Sequence, residues 1–178
     1  MTEWQQITWI FFHTIALNYN NEYQNEYINF FDSLKTIIPC KICRNHYIQN
    51  VSNVSNENMN INNNINSDKI FNWTIDLHNI VNKMHNKKIW SHEEARKYYN
   101  NHGFNNQIMK IFIFEYIKTN FKKNPEKTTQ LIKMINTLPY MHPNPDKRNK
   151  LIDFKEKFVL NRQNMKKWLY AFLLILKN

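Results

Sequence analysis

The sequence predicts an all-α protein: a four-helix bundle with a short fifth helix, followed by a basic helical extension. Three observations lead there. The 178-residue chain contains one glycine, so hairpins that need a positive φ lack their usual residue, and neither a GxGxxG turn nor a P-loop can be built. No segment shows the strict apolar/polar alternation of a half-buried strand. Apolar residues instead recur three and four apart, and hydrophobic residues at 42% with aromatics at 15% are enough for a packed core, which excludes wholesale disorder. The excess of asparagine, beside abundant lysine and isoleucine, reads as the habit of an AT-rich genome.

Trp4 to Tyr19 form the first predicted helix, with Ile7, Ile10, Phe11, Thr14 and Ala16 at helical spacing and no breaker. The second, Tyr23 to Ile38, has Tyr27, Phe30, Phe31 and Leu34 as its apolar stripe. Pro39 ends it, because the residue before a proline is pushed out of the α region. A third helix begins near Cys40 and reaches Val51. Residues 52–69, SNVSNENMNINNNINSDK, are polar and of low complexity, and a loop is expected there. A fourth helix follows from Ile70 to Met84. A fifth, Ser91 to Asn100, opens on a capping box of Ser91 and Glu94. Beyond Gly103 the candidates are Gln107–Phe121, Glu126–Thr137, Asp146–Leu160 and Asn161–Leu176, separated by Pro125 and the 139–145 turn region.

The net charge of +10 is unevenly placed: residues 1–103 hold nine Lys or Arg and nine Asp or Glu, whereas residues 104–178 hold fifteen against five. That asymmetry suggests two units, 1–103 and 104–178, with different tasks. In the second, Lys110, Lys118, Lys122, Lys123, Lys127 and Lys133 could form a salt-sensitive footprint for nucleic acid or another anionic partner. A solvated lysine face is the commoner reading. The apolar positions of 104–178 are too many for a solvated tail and are expected to pack on the first unit or on a second copy. No apolar run reaches the ~18 residues of a membrane span, the nearest being Trp168 to Leu176. The start of the chain shows no secretory signal pattern, so a soluble protein of a reducing compartment is expected.

The sharpest chemical feature is Pro39-Cys40-Lys41-Ile42-Cys43. Two thiols separated by two residues at a helix start can close a small disulfide ring. The free N–H groups and positive dipole end there stabilise a thiolate, helped by Lys41 and Arg44. The same pair could be half of a zinc site with His46, within a basic binding module. His78 and His85 are seven apart, however, unlike the usual H-x3–5-H. Trp9, His13 and Ala16 share a stripe of the first helix, with Tyr19 at its edge. Alone, that stripe is equally an ordinary core face with one satisfied histidine. His78, Asn79, Val81 and Asn82, followed by Lys87, are less ordinary, since each buried polar group needs a partner. A polar aromatic ligand would supply such partners; so would solvent.

Together these segments resemble the Erv/ALR family of FAD-linked sulfhydryl oxidases, with the closest likeness to the compact forms of large cytoplasmic DNA viruses. The resemblance rests on Trp9-x3-His13-x2-Ala16-x2-Tyr19, Pro39-Cys40-x2-Cys43-x2-His46 and His78-Asn79-x-Val81-Asn82 ending in Lys87, and covers about residues 4–100. It implies FAD as cofactor, with its ring beside Cys40 and Cys43 and near Trp9, His13 and His46. His78, Asn79, Val81, Asn82 and Lys87 would line the adenosine and pyrophosphate side, with Trp90, Tyr98 and Tyr99 adding contacts near the adenine. It also implies a homodimer, a dithiol protein or thioredoxin-like partner as substrate, O2 as electron acceptor, no metal, and host cytoplasm or virion as location. Gln5 and Gln6 replace a Gly-Arg pair common in the family, which removes one cationic contact. No third cysteine exists to form a shuttle disulfide, so substrates would reach Cys40–Cys43 directly. Nothing in the resemblance concerns residues 104–178, and a chain cut near Gly103 is expected to keep its cofactor.

Overall fold

The computed structural model describes residues 3–58, 66–121 and 124–177. Among them are nine α-helices: α1 (Glu3–Leu17), α2 (Gln24–Ile37), α3 (Lys41–Asn58), α4 (Ser67–Met84), α5 (His92–Asn101), α6 (Asn106–Asn120), α7 (Pro125–Thr137), α8 (Pro145–Lys157) and α9 (Met165–Lys177). Single 3-10 turns occupy Asn21–Tyr23 and Leu138–Met141. No strand occurs among the described residues.

Local chemistry explains most of the boundaries. Ile38 takes an extended conformation ahead of Pro39, and α2 stops there. Asparagine side chains accept backbone N–H groups at the starts of α4 (Asn66), α6 (Asn105), α7 (Asn124) and α8 (Asn144). Pro125 and Pro145 stand at the first helical position, where a missing N–H loses nothing. Ser91 and Glu94 form the capping box expected for α5. Asparagine is thus put to structural use throughout, which compositional bias alone did not suggest.

Three boundaries differ from expectation. The polar stretch 52–69 is helical at both ends, because it contains no glycine or proline to stop α3 before Asn58, and Asn66 caps α4 early; its centre, 59–65, lies outside the described residues. Helix α8 ends at Lys157 rather than Leu160. Helix α9 begins at Met165 rather than Asn161, because Asn161 and Asn164 bond each other's backbone and build a turn there. Lys122 and Lys123, candidates for the basic footprint, lie outside the described residues.

Helix α1 packs between α4 and α6, α2 between α3 and α7, and α3 against α4, while α5 closes over α1 and α4. The apolar core runs continuously across Gly103. Phe112 of α6 stacks on Phe11 of α1, centroids 4.4 Å apart, and meets Phe12 and Phe30 edge-on or tilted. Asn120 at the end of α6 donates to the carbonyl of Ile37 at the end of α2, 2.8 Å away. Leu131, Met134 and Ile135 of α7 are fully buried. Helices α8 and α9 pack on each other, with Trp168 stacked on Phe172 and tilted against Phe154.

Because α6 and α7 complete the faces of α1 and α2, a chain ending at Gly103 would expose Phe11, Phe30 and Phe31. We expect that fragment to lose cooperative unfolding, the reverse of what the motif content of 1–103 suggests. Within the full chain, Phe112→Ala is expected to cost about 3–5 kcal/mol in denaturant unfolding. Phe114→Ala, at a side chain 46% exposed, should stay within about 0.5 kcal/mol.

Candidate functional site

Pro39 sets where α3 begins, and Cys40 becomes its N-cap. The Cys40 Sγ accepts the N–H of Cys43 at 3.1 Å, the bond that a Ser or Asp oxygen usually makes at this position. The first helical bond follows, Arg44 N–H to Cys40 carbonyl at 2.9 Å. Cys40 and Cys43 form a disulfide with Cα atoms 5.2 Å apart. Arg44 is not free beside it: its guanidinium donates to the Ile38 carbonyl at 2.7 Å and ties the helix start to the preceding turn. Cys43 packs against the core, and Gln5 Nε2 lies 3.5 Å from its sulfur.

Both cysteines line a cavity of about 480 Å3 between α1, α3, α4 and α6. Of the residues singled out from sequence, it brings together Trp9, Cys40, Cys43, His46, Val81 and Lys87. Tyr19 lies elsewhere, packed edge-on against Tyr27. Tyr98 is 41% exposed and stacks on His102 and against Trp90, away from this wall.

His13 and His78 stand behind Trp9. The indole lies flat on the His78 ring, centroids 4.3 Å apart and planes within 5°. The hydrogen bonds assign the tautomers. Thr74 gives its hydroxyl hydrogen to the Phe71 carbonyl at 2.7 Å, so its oxygen can only accept from His13 Nδ1, 2.9 Å away. His13 Nε2 is then an acceptor, and His78 Nδ1, 2.9 Å from it, must carry the hydrogen and donate. His78 Nε2 is left as an acceptor. Burial, with His78 beside it, holds His13 well below the ordinary histidine value. Burial and then the Lys87 ammonium push His78 down to about 4. Both rings are neutral at pH 7.

Asn79 and Asn82 act on the chain that follows α4. The Asn79 side chain donates to the Trp90 carbonyl at 2.8 Å and accepts the Trp90 N–H at 3.0 Å. Asn82 is buried and donates to the Lys88 carbonyl at 3.1 Å. Asn86, with φ of 52°, takes the left-handed position that ends a helix, so that Lys87 N–H reaches back to the Asn82 carbonyl at 2.9 Å and Asn86 N–H to Lys83. These bonds bring Lys87 round to the cavity. Asn79 and Asn82 therefore find their partners in the protein itself.

Sequence reasoning missed Thr8, Phe12, Tyr47 and Leu77 and weighed His85 only as a metal ligand; all five line the cavity. For Thr8 and Phe12 a signal existed, since they share a helical face with Gln5 and Trp9. For Tyr116, contributed by α6, there was none. Among the described residues no three His, Cys, Asp or Glu side chains converge as metal ligands, and no helix is long and apolar enough to cross a membrane.

The helical bundle and the order of its motifs define the class. Residues 6–100 match the Erv1 / Alr family, over half of the chain, and the chain belongs to that family. A probable FAD-linked sulfhydryl oxidase of Acanthamoeba polyphaga mimivirus is 31% identical over 99 residues, covering 52% of this chain. The match spans 66% of that relative, a little under two thirds of its length. No solved structure matches the chain.

The buried histidines carry a pH dependence. A histidine whose pKa falls on folding stabilises the native state above its unfolded value, and that stability is lost as pH falls from about 6.5 towards the native value. Between about pH 6.5 and 4, where His78 titrates in the folded protein, unfolding should become easier by up to about 1.4 kcal/mol per pH unit for that residue. His13 adds to the same limb. His78→Asn should flatten this acid limb in chemical unfolding measured from pH 7 to 4.

Proposed function

We propose that this protein is an FAD-dependent sulfhydryl oxidase that converts substrate dithiols to disulfides and reduces O2 to H2O2. The observation that carries the reading is the Cys40–Cys43 disulfide in the wall of the cavity that Trp9, Val81 and Lys87 also line. The residues present fit a flavin. Trp9, Phe12, Leu77 and Val81 offer apolar contact to a flat ring, and the buried Tyr116 hydroxyl has no hydrogen-bond partner of its own. Lys87 supplies a cation for a pyrophosphate where no glycine loop exists. The family to which the chain belongs and the printed name of its mimivirus relative support the same reading.

The protein's own residues would act as follows. A substrate thiolate attacks Cys40 Sγ, the S–S bond to Cys43 breaks, and Cys43 leaves as a thiolate. A second substrate thiolate then attacks its partner sulfur in the mixed disulfide, forming the substrate disulfide and releasing Cys40. As N-cap, Cys40 leaves as a thiolate facing the Cys43 N–H, which lowers its basicity and helps it depart. Cys43 packs inward against the core and would be the thiol nearer a bound flavin. Bound FAD would supply the acceptor for the two electrons of the dithiol and the route to O2. Trp9 over His78 and the neutral histidine chain behind it hold that wall of the cavity.

Residues 1–103 carry this chemistry and residues 104–178 support it, so the boundary at Gly103 is one of role rather than of packing. The protein acts as a soluble homodimer, in host cytoplasm or virion, on a dithiol protein or a thioredoxin-like partner that reaches Cys40 directly.

Purified without added cofactor, the protein should be yellow and carry FAD near one to one; a preparation that stays colourless with excess FAD rejects the reading. Cys43→Ser should abolish thiol oxidation while retaining bound flavin. Cys40→Ser should also be inactive but leave Cys43 free beside the ring, giving a long-wavelength charge-transfer absorbance. The opposite pattern would exchange the roles of the two cysteines.

A further inference from the structure

Tyr116 is the one cavity-lining residue contributed by α6, beyond residues 6–100 that match the family. Its side chain is fully buried, and its hydroxyl has no hydrogen-bond partner. The Tyr47 hydroxyl donates to the Phe31 carbonyl at 2.9 Å. The Thr8 hydroxyl is near enough to favour ionisation slightly against the much larger effect of burial, yet it does not meet hydrogen-bond geometry with Tyr116. Burial raises the phenol and keeps it protonated, so what it offers is a donor.

An unpaired buried hydroxyl is destabilising, and a phenylalanine would fill the same ring space without that cost. One turn earlier, Phe112 does so, its ring 4.4 Å from that of Tyr116. One turn later, Asn120 donates to the Ile37 carbonyl, three residues before Cys40. Tyr116 therefore stands on a helix held in register with the approach to the disulfide. An acceptor on whatever occupies the cavity would satisfy it.

We propose that Tyr116 is a cofactor-positioning residue that donates a hydrogen bond to an acceptor atom on the polar part of the flavin ring system, giving residues 104–178 a direct part in the site. This rests on the flavin reading of the cavity. The carbonyl oxygens and ring nitrogens of an isoalloxazine are acceptors of the required kind, and a neutral phenol suits them.

The test uses the full chain stripped of cofactor and titrated with FAD, comparing wild type with Tyr116→Phe. The dissociation constant should rise roughly three- to tenfold in the variant, the range expected for one hydrogen bond. The visible absorption bands of the bound flavin should shift as well, which a merely structural role would not produce. The unfolding midpoint of the cofactor-free variant should be unchanged or higher, since an unpaired buried hydroxyl has been removed. Equal affinity and identical spectra in the two proteins would overturn the inference and leave the flavin reading standing. A wild-type protein that binds no FAD would overturn both.

Discussion

Pro39 disfavours a helical conformation in the residue before it, and much of the site depends on that constraint. It makes Ile38 extended, stops α2, and leaves Cys40 as the first residue of a new turn. Cys40 then uses its sulfur as a cap, α3 departs with Cys43 one turn along, and the two sulfurs lie within bonding reach. Two elements clamp the corner: Arg44 holds the Ile38 carbonyl, and Asn120 holds the Ile37 carbonyl from α6. A disulfide placed in this way lines the cavity and lies at the positive end of a helix, the surroundings that make a thiol a good leaving group.

With one glycine in the chain, other residues must end and begin the helices. Asparagine does both. Its short amide accepts orphan N–H groups at four α-helix starts, and its tolerance of positive φ lets Asn86 close α4. The turn at Asn86 has a consequence for the site, because it returns Lys87 to the cavity. Asn79 and Asn82 then pin the following strand of backbone at Trp90 and Lys88. The two asparagines of the last turns of α4 are thus satisfied within the protein. The histidine chain from Phe71 through Thr74 and His13 to His78 follows the same rule, each donor finding one acceptor.

Local pattern determined a good deal about this protein. The period of the apolar residues, the prolines and the Ser91–Glu94 cap are short-range signals, and they specify an all-α chain with most helices in place. The CxxC at a helix start was legible because proline, cap and dipole act within a few residues. That Trp9, His46, Val81 and Lys87 would come together was anticipated by the family resemblance of their motifs, and all four line one cavity. The helical ends of residues 52–69 were not, because low-complexity composition says nothing of a cap such as Asn66 acting from the far side.

Tertiary structure alone decided what the polar residues of α1 and α4 do. Sequence cannot distinguish an asparagine that meets a ligand from one that clamps the Trp90 backbone, since the partner lies eleven residues on in a loop. Nor can it set the histidine tautomers, which follow from contacts 61 and 65 residues apart. The charge boundary at Gly103 is real in sequence, but packing disregards it. Phe112 and Tyr116 reach α1 and the cavity because a helix face buries wherever a complementary apolar face is available, whatever the distance along the chain.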